Sequence, residues 1–162
     1  MSRRSRALKP ALVLAAIAVA AAVPASAQTA RDITVREKAQ AVKFVHQRPA
    51  KRPDVLAMGD RVITRQALFD ESDRRIGSFH TDCLNGGARA QVFKATLICT
   101  SIYRFADGQV VSQGVVKLGG NPASARIAIV GGTGAYRSAR GEVSAAAPVE
   151  GYDSVDHLSI DG

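Results

Sequence analysis

Ile127-Ala128-Ile129-Val130-Gly131-Gly132-Thr133-Gly134-Ala135-Tyr136-Arg137-Ser138-Ala139-Arg140-Gly141 joins an apolar, β-branched run to a glycine-rich turn. Such a run has two physical readings: a strand opening into a pyrophosphate-binding helix, or a strand reversing into its neighbour. The first needs the glycines to start a helix, with the third letting that helix pack closely on the strand. Position 137 is Arg, and only 28 residues follow Gly134, too few for the rest of such a fold. No Lys-Ser or Lys-Thr pair is present to serve a phosphate loop. The stretch therefore reads as a reversal between strands, which argues against nucleotide binding.

Working outward, the chain from Asp60 onward alternates short β-branched runs with turn residues. The expected strands are 61–69, 77–83, 91–105, 109–118, 125–130, 135–146 and 154–160. Between them lie Asp70-Glu71-Ser72-Asp73, Asn85-Gly86-Gly87, Asp107-Gly108 and Gly119-Gly120-Asn121-Pro122, which supply turn chemistry. An earlier strand spans Thr34 to Val45, although Arg36 to Val45 also fits one short helix. About eight strands at this spacing give an all-β domain, a closed antiparallel barrel or a sandwich.

Asp107-Gly108 suits the positive φ values of a type I′ turn. Centred there, the hairpin pairs Phe105 with Val110, Tyr103 with Ser112 and Cys99 with Val116. Alternation then puts Phe105, Tyr103, Ser101 and Cys99 on one face, and Arg104, Ile102, Thr100 and Ile98 on the other. Neither face is cleanly apolar, so inside and outside stay open at this stage. A barrel with a partly polar lumen would give this pattern.

The amino terminus has the physics of an export signal. Arg3, Arg4, Arg6 and Lys9 precede an apolar run of 13 residues, Ala11 to Val23, and Pro24-Ala25-Ser26-Ala27 closes it. Small residues at Ala25 and Ala27 fit a cleavage site. Thirteen residues are too short to cross about 30 Å of hydrocarbon, so no stable membrane anchor is expected. Residues 1–27 are thus read as a cleaved secretory signal peptide and 28–162 as one secreted, extracellular domain. Without the leader, 18 basic residues face 14 acidic ones, a balance too mild to indicate nucleic acid. A length near 135 residues leaves room for one modest core and excludes multi-domain enzyme architectures.

In an oxidising compartment Cys83 and Cys99 are expected to form a disulfide, worth about 3 kcal/mol in the chain-entropy model. Two buried free thiols are the alternative; two sulfurs with no nearby His cannot complete a zinc site. His46, His80 and His157 show no ligand spacing, and no Gly-x-Ser-x-Gly elbow occurs. No metal and no cofactor are expected. Arg48, Lys51 and Arg52 lack the interleaved aromatics that would stack on bases.

The segment from Gly131 to Gly141 resembles the Gly-Gly-Thr-Gly-x-Phe/Tyr-x-x-Ala-Arg-Gly signature of dirigent proteins. Those share an eight-stranded barrel with allene oxide cyclases. Gly59-Asp60, Leu68-Phe69-Asp70 and Arg75-Ile76-Gly77 follow the family order, and Cys99 through Asp107-Gly108-Gln109 to Gly114 resembles secreted bacterial members. The resemblance covers roughly residues 33–160 and implies a closed antiparallel β-barrel of about eight strands.

It also implies a lumen holding a small, largely apolar molecule. Plant dirigent proteins steer the coupling of phenoxy radicals, and allene oxide cyclases direct ring closure of a fatty-acid epoxide. In both, orientation does most of the work, with few polar groups stabilising charge. An isomerase or cyclase acting this way is one reading, and a non-catalytic ligand-binding or structural barrel the other. A homo-oligomer is compatible with either.

Arg140 matches the motif arginine at the dirigent pocket and is the first ligand-binding candidate. Glu142 shares its face by alternation, so both are expected to point into the barrel, with a purely structural pair as the alternative. Tyr103 adds a lumen hydroxyl if its face is the inner one. Ser124-Ala125-Arg126-Ile127-Ala128 lacks the acidic residue that plant dirigent proteins carry before the turn. A lignan-type coupling role lacks its acid there.

Overall fold

The structure, a computed structural model, describes residues 30–119, 126–146 and 148–161. The expected signal segment, 1–27, lies outside the described residues, as does most of the turn that follows Gly119.

Ten strands are present among the described residues. They are β1 (Arg31–Val45), β2 (Val55–Leu56), β3 (Arg61–Phe69), β4 (Arg75–Asn85), β5 (Ala90–Gln91), β6 (Thr96–Phe105), β7 (Gly108–Lys117), β8 (Arg126–Gly134), β9 (Arg140–Ala146) and β10 (Ser154–Asp161). Eight of them close into an antiparallel barrel in the order β1-β10-β9-β8-β7-β6-β4-β3. The expected all-β closed barrel is the fold observed. The segment 36–45 is strand, and the helix that it also fitted does not form.

One long strand makes closure work. The first half of β1 pairs with β10, from Arg31 opposite Ile160 to Glu37 opposite Ser154. The rest of β1, from Arg36 opposite Phe69 to Val45 opposite Arg61, pairs with β3 through a register shift between Ala39 and Ala41. A bulge bends and twists a strand, which lets one chain segment turn the corner of a barrel.

The hairpin register differs from the expected one by two residues. Phe105 pairs with Gly108, Tyr103 with Val110 and Cys99 with Gly114, so Ala106-Asp107 makes the reversal. Asp73 carries the positive φ seen at a non-glycine residue; Asp107 does not. A shift of two preserves parity, so the grouping into faces survives. Phe79, Thr81 and Cys83 on β4 oppose Tyr103, Ser101 and Cys99, and Cys83 and Cys99 form the expected disulfide with Cα atoms 4.0 Å apart.

Burial settles which face is inner. Leu97, Cys99, Ser101 and Tyr103 are buried, whereas Ile98, Thr100 and Arg104 are exposed. The interior holds two apolar clusters. One gathers Val35, Leu68, Phe79, Tyr103, Val110, Ile129, Tyr136, Val143 and Leu158 among others. The second joins Leu56, from the small β2–β5 sheet, to Val62, Ala95, Leu97 and the disulfide.

The glycine-rich stretch is longer as a strand, and later in restarting, than expected. β8 runs on through Gly134, and Ala135–Ala139 is a turn closed by Tyr136 N to Thr133 O and Ala139 N to Tyr136 O bonds. Tyr136 and Ala139 are buried in the first cluster, so this turn tucks its side chains into the barrel end. Gly134 takes a φ of 61°, the left-handed conformation that a glycine accepts without a Cβ penalty.

Candidate functional site

Polar inner-face residues collect in the barrel interior. Glu37 comes from β1, Thr64 and Gln66 from β3, Thr81 from β4, Ser101 and Tyr103 from β6, Ser112 from β7, and Ser154 and Asp156 from β10. Alternation places each there: Glu37 pairs with buried Leu68, and Asp156 is two residues from buried Leu158.

Two carboxyl groups anchor this arrangement. Glu37 is 2% exposed and Asp156 8%. The Tyr103 hydroxyl donates to Asp156 Oδ2 at 2.5 Å, and the Ser154 hydroxyl donates to Glu37 Oε2 at 2.6 Å. The Tyr103 ring leans on Phe79, 4.7 Å between centroids, which fixes the direction of its hydroxyl. Thr81 and Ser101 share a hydroxyl–hydroxyl bond of 2.9 Å.

Burial holds the Glu37 carboxyl well above the ordinary range, and the nearby charge of Asp156 adds to that. Asp156 is also raised by burial, against the opposing hydrogen bonds from Tyr103 and from the Glu37 carboxyl. Burial thus holds both carboxyls toward their neutral forms. Burial, reinforced by both carboxylates, pushes the Tyr103 phenol well up, so it stays a donor.

Glu37 Oε1, Thr64 Oγ1, Gln66 Oε1 and Ser112 Oγ are buried without a hydrogen-bond partner. A buried polar atom left unpaired costs about 1–3 kcal/mol. All four belong to inner-face positions, so the interior presents unused hydrogen-bonding capacity. Val42, opposite Thr64 on β1, is 54% exposed.

The expected inward orientation of Arg140 and Glu142 is corrected by the structure. Both side chains are exposed on the outer face, because Val143, 1% exposed, is the β9 residue that enters the core. Nor do the two pair. Arg140 donates to Ala139 O at 2.7 Å, and Glu142 bonds Arg126 at 3.1 Å. The alternation Glu142-Val143-Ser144 carried this signal, hidden by starting the strand at Ala135. Tyr103 does line the interior. Sequence reasoning missed Glu37 and Asp156, whose single acidic letters in polar strand surroundings read as surface positions.

Glu142 instead lines an outer recess of about 570 Å³ with Asp32, Thr34, Arg126, His157 and Ser159. There Asp32 pairs with Ser159 and Thr34 with His157, so its polar groups are mutually satisfied. A second recess, about 550 Å³, is rimmed by Arg48, Lys51 and Arg89 above Asp60. Asp60 accepts from His46 Nδ1 at 2.8 Å and from the Gln47 and Ala57 amides at 3.0 and 2.9 Å. Burial alone would raise Asp60, but these hydrogen bonds outweigh it and hold the carboxyl low. That cluster clamps the Pro49–Pro53 loop to the start of β3. Among the described residues no three His, Cys, Asp or Glu side chains converge in a metal-binding group.

An eight-stranded closed antiparallel barrel with a buried acid pair and a phenol in its interior is the class of architecture that these strands define. The sequence matches the allene oxide cyclase barrel like domain over residues 32–156, and the chain belongs to that family. Comparison with curated protein sequences yields no match. Among solved structures, a pyocyanin demethylase superposes with a TM-score of 0.62 at 18% identity, covering 80% of this chain and 99% of the other. AbnU, an exo-specific intermolecular Diels-Alderase, gives 0.57 at 12% identity, with coverages of 83% and 99%. The pterocarpan synthase dirigent protein PsPTS1 gives 0.56 at 18% identity, with coverages of 82% and 92%. These likenesses are in fold.

Proposed function

We propose that this chain is exported and takes up a small, largely apolar molecule in its lumen, directing the stereochemistry of a cyclisation or coupling by orientation. The observation that carries the reading is the set of unpartnered buried atoms, Glu37 Oε1, Thr64 Oγ1, Gln66 Oε1 and Ser112 Oγ, in a barrel with apolar clusters in its core. An apolar body packs against the clusters while a polar group meets these atoms. The buried acid pair with Tyr103 offers a fixed dipole where charge develops. Structural relatives described as cyclases and dirigent proteins favour orientation catalysis over simple carriage. Arg140 and Glu142, exposed outside the barrel, have no part in this lumen site.

Native mass spectrometry of protein incubated with an extract of the producing cells tests the reading. Wild type should retain a small-molecule adduct that denaturation releases. Ser112→Phe, with a ring projecting from a fully buried inner position, should fold with unchanged circular dichroism and lose that adduct. An adduct of equal occupancy in both proteins would move the site out of the lumen.

A further inference from the structure

Glu37 and Asp156 are buried acids without a counter-cation. Between the two apolar clusters, no inner-face position among the described residues carries Lys, Arg or His. The charged and titratable groups around the pair are few. From β6 comes the Tyr103 phenol, and beside β10 Asp153 adds a further negative charge felt by Glu37. His157 is the basic group felt by Asp156, but it stands on the outer face bonded to Thr34. β3, β4 and β7 contribute only Thr64, Gln66, Thr81 and Ser112 as polar groups at this level.

Three features make this a built site rather than an acidic cluster. Glu37 Oε1 lacks a partner although its residue is 98% buried by complement of its 2% exposure. Ser112, fully buried on the opposite wall, also has an unpartnered oxygen. Gln66 presents a carbonyl oxygen, an acceptor only. The charge this interior can develop is that of the acid pair, and a carboxylate entering here would meet it with no basic side chain to offset it.

We infer that the lumen selects an apolar molecule bearing a positive charge, an alkyl- or arylmethylammonium or a cationic heteroaromatic, and rejects its carboxylate counterpart. This rests on the lumen reading above and names its ligand class. A buried carboxylate gains most from a partner that is itself charged and desolvated with it. The cation binds the ionised form of the pair, so binding displaces the proton that the empty pair holds. Affinity for a permanently charged ligand then rises with pH through the titration of the pair, by linkage.

The test uses three molecules of one shape: benzylammonium, benzyl alcohol and benzoate, titrated against the whole protein by NMR chemical shifts and by calorimetry. Benzylammonium should bind at least about tenfold more tightly than either analogue, a difference of about 1.4 kcal/mol. Its binding should release protons, seen as a heat that depends on the ionisation enthalpy of the buffer. In Glu37→Gln the preference for the cation over the alcohol should fall below about threefold while the alcohol still binds. If alcohol or benzoate binds wild type as tightly as benzylammonium, the charge inference is overturned and the lumen reading stands. If none binds, or if Ser112→Phe binds all three unchanged, both are overturned together.

Discussion

At the scale of single residues, the decisive group is Glu37. Its carboxyl is raised by burial and by Asp156, so the folded protein favours the neutral form. A raised folded-state pKa contributes stability that is fully present below the ordinary carboxyl value and is lost as pH rises through the raised one. Asp156 acts with the same sign. Asp60, held low by its hydrogen bonds, acts with the opposite sign and loses its contribution as pH falls. Glu37→Gln keeps the shape of the side chain and an acceptor for Ser154 while removing one ionisation. Urea unfolding between about pH 5 and 9 should show wild type losing ground to the variant as pH rises, reaching about 1–3 kcal/mol. The Asp60 contribution cancels in that difference. Parallel curves would mean that Glu37 ionises in the fold without penalty. Nothing in Thr34-Val35-Arg36-Glu37-Lys38 announced this role, because flanking charges look like a solvated strand edge and only barrel closure buries one of them.

At the scale of elements, turns were more legible than strand ends. A reversal between β8 and β9 was readable, but the glycines that marked it end β8, and Ala135–Ala139 makes the turn. The restart of β9 at Arg140 was not readable, because Tyr136 and Ala139 enter the core from a turn rather than from a strand. That difference hid the side to which Arg140 points. The glycines at the end of β8 are unequal. A Cβ on Gly132 would collide with the backbone oxygens of Tyr136 and Gln109, whereas on Gly131 its nearest neighbour is Arg140 Nη1 at 3.8 Å. Gly132→Ala should therefore lose about 2–4 kcal/mol by urea denaturation, since backbone must move to admit the methyl. Gly131→Ala should stay within about 1 kcal/mol of wild type. A larger loss at Gly131 than at Gly132 would contradict the register of β7 against β8. The β6–β7 hairpin teaches a related lesson. Turn chemistry located it, but Gly108 serves as a strand residue opposite Phe105 and Gly134, which shifted the pairing by two without exchanging the faces.

For the whole molecule, export and oxidation make one joint prediction. Protein recovered outside the producing cells should have the intact mass of a chain beginning at Gln28, two hydrogens lighter than its reduced form. A mass that includes Met1, or one unchanged by reduction, would contradict it. The sequence by itself determined that the chain is all-β, that it carries the family's turn signature, and that Cys99 shares a face with Ser101 and Tyr103. Those properties are local: alternation and turn chemistry act within a few residues, and hairpin parity survives an error of two in register. Tertiary structure alone decided which face is inside and what stands there. Glu37 meets Asp156 and Tyr103 because β1 pairs with β10 to close the barrel. A carboxyl's charge state depends on what surrounds it after closure, and no run of neighbouring residues encodes that environment.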